Sequence, residues 1–140
     1  MPDVSWTADP SGAYWIDVQL AGRPFNVLID TGLIDRLGEV GFSIEASDYD
    51  AIKKAGGFRK HQIHSRMMAD GTLLITESGS LDAQLICPQT LNLVGPVAHV
   101  YVYRGAPGVP DRVGLAFFHQ LKGCKVLWDL DQRTWRIDYP

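Results

Sequence analysis

Cysteine is scarce in this chain: Cys87 and Cys124 are the only two among 140 residues. They lie far apart and match no metal-ligand spacing; they could be bridged, but they read better as two buried thiols in a reducing compartment. Long apolar runs are missing too. No stretch approaches the ~20 residues that a membrane-spanning helix needs. Met1-Pro2-Asp3 opens without a basic segment followed by an apolar one, so no secretory signal is expected. Positive charge is not in excess either. Thirteen Lys and Arg face sixteen Asp and Glu, for a net charge of -3, and such a surface gives nucleic acid no basic footprint. His61 and His64 have no Cys, Glu or further His at ligand spacing nearby, so neither a metal nor another cofactor is expected. Repeats of 20 to 50 residues and low-complexity tracts are absent, which excludes solenoids. These absences point to a cytoplasmic protein that neither crosses a membrane nor binds nucleic acid.

What is present is the composition of an ordinary globular protein, 46% hydrophobic and 21% charged. The length suits one domain over residues 1–140, with 1–12 as an irregular arm because they are polar and contain Pro2, Pro10 and Gly12. From Tyr14 the pattern changes. Ile16, Val18 and Leu20 alternate with Asp17 and Gln19, the period of a half-buried strand. Turn residues at 21–24 then lead into a second strand over 25–29. Residues 33–37 read as a loop or short extended piece. Ser47 and Asp50 suit the start of a short helix that Gly56-Gly57 would stop. Asp70-Gly71, between strand-like segments, predicts a projecting hairpin. Further strands are expected at 81–85 and 97–103, a second short helix over 115–122 and a closing hairpin over 125–139. About eight strands joined by tight turns make a mainly β fold, a closed barrel-like or sandwiched sheet with two short helices.

The chemistry concentrates at Val27-Leu28-Ile29-Asp30-Thr31-Gly32. An apolar run, read as a strand buried on both faces, ends in a carboxylate, a hydroxyl and a glycine. An ionised carboxylate in such surroundings costs several kcal/mol unless it is paired, solvated or placed in a cleft. Two such loops facing each other would bring two carboxyls about 3 Å apart, where they share one proton and hold a water between them. One carboxylate then acts as general base on the water while the other protonates a peptide carbonyl oxygen. Gly32 would let the backbones approach, and Thr31 could hydrogen-bond across to the matching loop.

These residues resemble the active-site loop of the retropepsin-like, retroviral-type aspartic proteases, for which the proton-sharing pair is the established device. The likeness extends beyond Asp-Thr-Gly. A strand, a turn with Gly22 and a second strand precede the motif. Met68-Ala69-Asp70-Gly71-Thr72 falls where that family places its substrate-covering flap. Val113-Gly114-Leu115 resembles its late hydrophobic–Gly segment, which packs against the active-site loop, and 125–139 fits its closing strands. The resemblance covers about residues 14–139. It implies one lobe of an acid-protease fold, Asp30 as the catalytic carboxylate, and Thr31 and Gly32 as its support. It also implies substrate contacts from Leu33, Asp35, Ala69, Asp70, Gly71 and Thr72.

One Asp-Thr-Gly per chain means that a dyad needs two copies around a two-fold axis between the Asp30 side chains. The expectation is therefore a homodimeric aspartic endopeptidase acting on peptide or protein substrates. Leu33 and Ile34 depart from the pattern, standing where the family has a small or hydroxylic residue and then a polar one. They motivate an alternative, a dimeric module of the same fold that binds extended peptides without cutting them. Trp15, Trp128, Trp135, Phe117 and Phe118 read as core or dimer-interface packing.

Overall fold

In the computed structural model, residues 1–35 and 38–140 are described, with the side chains of all of these except 34, 35, 38 and 39. The first element corrects the expected irregular arm: β1 (Asp3–Thr7) is a strand paired along its whole length with β12 (Thr134–Asp138), Trp6 opposite Trp135. Val4 and Trp6 alternate inward and are buried while their neighbours face out. Its partner lies about 130 residues away in sequence, beyond the reach of local turn signals.

The alternation at 14–29 produces the hairpin it predicts. β2 (Trp15–Leu20) buries Ile16, Val18 and Leu20 completely, and β3 (Arg23–Ile29) pairs with it antiparallel. Only Ala21 and Gly22 separate the strands, at φ +49° and +80°, the two consecutive left-handed residues that match the twist of the strands they join. β4 (Ile34–Asp35) pairs with β5 (Gly38–Glu39), while Arg36 and Leu37, within the extended piece expected there, lie outside the described residues. After β6 (Phe42–Ile44) comes α1 (Ala46–Lys54), which is capped earlier than Ser47: the Glu45 carboxylate accepts the Ser47 amide, and Asp48 is the first-turn acid. Gly56, at φ +73°, ends that helix as expected.

The predicted hairpin is formed by β7 (Lys60–Met67) and β8 (Leu73–Ile86). β8 is one 14-residue strand where the sequence suggested two segments. Gly79 does not break it. The glycine makes room for the Phe58 ring, which would lie under 3.0 Å from any Cβ at that position and which packs on Tyr49 with centroids 4.7 Å apart. The chain continues through β9 (Leu93–Arg104), β10 (Arg112–Val113), α2 (Leu115–His119), β11 (Lys125–Asp129) and β12. α2 is shorter than expected, ending four residues before Gly123.

The large sheet runs β2-β3-β10-β6-β9-β8-β7, and β8 also returns to β2 through Val18–Leu85 and Leu20–Ala83. That second pairing closes six strands into a barrel and leaves β7 as an outrigger. β10 is parallel to β3 and antiparallel to β6, and β6 is parallel to β9. The barrel is filled by Ile16, Leu20, Phe42, Tyr49, Leu85 and Phe117, all fully buried. A smaller sheet, β1-β12-β11, packs Trp6, Trp135 and Ile137 against that core and leaves every residue of β11 exposed. The fold is mainly β with two helices among the described residues, none of them long and apolar enough to cross a membrane.

Candidate active site

Three elements fix Asp30. The Leu28 amide donates to Asp111 O at 2.9 Å, the Ile29 amide to Tyr14 O at 2.8 Å and the Asp30 amide to Val113 O at 2.9 Å. β3 is thus clamped between β2 and the parallel β10 up to the residue where it stops pairing. The loop then folds on itself, with the Leu33 amide donating to Asp30 O at 3.1 Å and the Gly32 amide to the Asp30 carboxylate at the same distance. Thr31 and Gly32 are exposed, and a side chain at 32 would meet only Asp30 Oδ1, at 3.6 Å.

The close approach falls at Gly114 instead. A Cβ there would lie under 3.0 Å from the Val40 carbonyl oxygen and 3.3 Å from Leu33 Cβ. The Gly114 amide donates to Gly41 O at 2.9 Å, and the Val40 amide to Leu33 O at 3.2 Å. Val113-Gly114 therefore passes directly behind the Asp30 loop, as the sequence resemblance implied.

The strand leading to Asp30 is less enclosed than expected. Val27 is fully buried, but Leu28 and Ile29 are only half-buried, because the barrel turns one face of β3 inward and leaves the other at its mouth. The Asp30 side chain is 33% exposed, and its Oδ2 accepts from Arg112 Nη1 at 3.3 Å. A cation in the same chain thus meets the carboxylate whose counterpart the sequence reading sought on a second copy. Arg112 was missed there; the available signal was a charged residue alternating with an apolar one directly before Val113-Gly114. Next to it, burial pushes the Asp111 carboxyl up to about 6; the Glu45 amide, donating at 2.7 Å, pulls the other way, and Asp48 adds to the rise.

Leu33 is half-buried against Gly114. The Asp35 side chain lies outside the described residues, as does that of Ile34. Ala69, Asp70, Gly71 and Thr72 form the exposed tip of the β7–β8 hairpin. There Met68 N donates to Thr72 O at 2.7 Å, the Asp70 carboxylate accepts the Thr72 amide, and Gly71 takes φ +86°. Residues 73–77 of the hairpin extend past the last pairing with β9, and Met67, Leu73, Leu74 and Ile75 are exposed along it. At its base the Lys53 ammonium, ahead of His61, holds the Glu77 carboxyl below its usual range. His61 is thus paired with Glu77, and His64 with Gln62.

A cavity of about 890 Å³ lies between this hairpin, β9 and α2, with Gln62, Thr76, Tyr101 and Gln120 in its wall. Asp30 is not part of that wall. Among the described residues no three His, Cys, Asp or Glu side chains cluster as a metal site.

No protein-family model matches the chain, and no curated protein matches it significantly. A solved structure does: a retropepsin-like aspartic protease from Rickettsia conorii, at TM-score 0.64 and 12% identity over 99% of this chain and 91% of that one. The chain has a retropepsin-like fold.

Proposed function

We propose that the protein is an aspartic-type peptide hydrolase that works as a homodimer, with Asp30 of each copy forming the catalytic pair. The observation that carries this is the position of Asp30, clamped at the end of β3 by β2 and β10 in a retropepsin-like fold, with its carboxylate one-third exposed. In the dimer the two carboxyls share a proton; one draws a proton from the bound water while the other donates to the peptide carbonyl oxygen. Thr31 and Gly32 keep the loops in register, and the hairpin tip at Ala69, Asp70, Gly71 and Thr72 covers the substrate. Its exposed apolar arm suits a lid that finds its contact only when peptide is present.

Dimerisation is supported by β11. Val126, Leu127, Trp128 and Leu130 are 39%, 39%, 56% and 69% exposed, and the strand's outer edge has no neighbour among the described residues. An apolar, unpaired edge is a liability unless another strand covers it. Trp128 also packs edge-on against Tyr14, whose carbonyl receives the Ile29 amide. An interface at β11 would thus lie close to Asp30. Cys87 and Cys124, both free, suit a reducing cytoplasm.

The test is cleavage of casein and a peptide library from pH 3 to 7 by wild type and Asp30→Asn. Loss of cleavage in the variant is expected; turnover that persists rejects the assignment. The Arg112–Asp30 ion pair favours a second reading, a dimeric module that holds peptides without cutting them. It requires peptide binding with no turnover at any pH.

A further inference from the structure

The strand order carries a row of side chains across the barrel. Leu28 on β3 is paired with Arg112 on β10, Arg112 with Ser43 on β6, Ser43 with Tyr103 on β9, Tyr103 with Ser78 on β8, and Ser78 with Gln62 on β7. Directly paired residues present their side chains to one face, so the row shares the face that Asp30, two residues beyond Leu28, also occupies. The opposite face takes Phe42, Val102 and Val113, all fully buried. An arginine has therefore been set into the polar side of the barrel, next to the carboxylate and in line with the cavity beneath the hairpin.

Its present partner serves it poorly. The 3.3 Å contact with Asp30 is longer than the ~2.7–2.9 Å of a good charge-assisted hydrogen bond, and among the described residues the buried Nε–H meets no acceptor. A guanidinium is a planar fork of donors built to take a carboxylate with two at once. The surroundings are prepared for such a guest. Among the described residues neither the row nor the cavity wall contains a carboxylate; the wall includes Tyr103, Ser78 and Gln62 and adds the guanidinium of Arg66 and the ring of His64. Apart from Asp30 itself, the polar side chains named on this face are cationic or neutral, in a protein of net charge -3.

We propose that Arg112 is the specificity residue of the cleft and that it selects peptides carrying an acidic side chain beside the bond to be cut, exchanging Asp30 for the peptide carboxylate. The inference rests on the peptidase reading for the words "to be cut", but the selection itself is a binding property. Until an acidic peptide arrives, Arg112 occupies Asp30; its departure leaves that carboxylate to the water.

The experiment measures fluorescence anisotropy of fluorescein-labelled decapeptide pools, random except for one position fixed as Glu or Gln. Proteins are wild type, Asp30→Asn, Arg112→Gln and Arg112→Met, the last retaining the apolar stem. At one fixed position the Glu pool binds about 10- to 100-fold tighter than the Gln pool, the range expected for a charge-assisted hydrogen bond. Asp30→Asn sharpens that preference by releasing Arg112, and Arg112→Gln and Arg112→Met abolish it while retaining the wild-type circular dichroism. Equal binding of the two pools, no binding, or a preference that survives in whichever uncharged variant folds overturns the proposal. Cleavage without acidic preference rejects Arg112's role and leaves the peptidase reading standing; acidic preference without cleavage does the reverse.

Discussion

Adding a single methyl group at Gly114 tests how the Asp30 loop is held. The new Cβ would fall under 3.0 Å from the Val40 carbonyl oxygen, and ordinary contact begins near 3.4 Å. Gly114 itself has φ -105°, so alanine meets no backbone strain of its own, and the whole cost is the collision. That oxygen is backbone and cannot rotate aside. Its segment is tied by the Val40 amide to Leu33 O and by the Gly114 amide to Gly41 O, so relief requires at least one of these bonds to lengthen. Overpacking of this kind costs about 1–3 kcal/mol and a lost backbone hydrogen bond about 1 more, for a total near 3 kcal/mol. Spread over the unfolding entropy of a chain this size, that lowers Tm by roughly 10 °C. The control is Gly32→Ala, where the Cβ meets only Asp30 Oδ1 at 3.6 Å, and a shift within about 3 °C is expected. Thermal unfolding followed by circular dichroism reads both. A Gly114→Ala protein melting within 3 °C of wild type would refute the claim that this glycine is a steric requirement behind the loop.

Three further outcomes follow from the same structure. The Asp111 carboxyl, raised to about 6, holds its proton more tightly folded than unfolded, so it adds stability below about pH 4 that is lost as pH rises through 6. Asp111→Asn should therefore stabilise the protein at pH 8 by about 1 kcal/mol, the full shift discounted for a half-exposed group, with no gain near pH 3.5; equal urea midpoint shifts at both pH values would contradict this. Trp6→Ala removes a 7% exposed ring from under the small sheet and should cost about 3–5 kcal/mol in urea unfolding, whereas an irregular arm would lose almost nothing. Trp128→Lys, at a 56% exposed position, should leave the circular dichroism intact and shift sedimentation from dimer to monomer at micromolar concentrations; an unchanged dimer would move the interface away from β11.

What the sequence disclosed was whatever depends on near neighbours. Ile16, Val18 and Leu20 announce their strand by alternation, Ala21-Gly22 and Asp70-Gly71 their turns, and Gly56 its helix end. What stayed hidden depends on distance or on a neighbour's shape. Val4 and Trp6 alternate just as well, but Pro2 and Pro10 obscured a strand whose partner is at the other end of the chain. β8 read as two segments with Gly79 between them, and the Phe58 ring that fills the glycine's place comes from outside the strand. The α1 cap was assigned to Ser47 on residue preference, while the longer Glu45 side chain, two residues earlier, caps the helix by accepting the Ser47 amide. At the site, Asp30 was legible because a carboxylate ending an apolar run is chemically conspicuous. Arg112 was not, since its place beside Asp30 arises from the parallel pairing of β10 with β3, across 82 residues.

The second pairing of β8 has a mechanical consequence. Its later half is a barrel stave joined to β9 and β2, whereas residues 73–77 pair, among the described residues, only with β7, Glu77 being also tied to Lys53 at the base. The hairpin is a cantilever, built in at one end, with an overhang of about 17 Å at the rise of a β-strand. A built-in beam has no hinge; it bends along its length, and its tip travels farthest for a given force. The same continuity lets a load on the tip reach β2 and, through the β2–β3 hairpin, the strand that ends in Asp30. In the function proposed above, closing over a peptide and tensioning the carboxylate's own strand would be one elastic event.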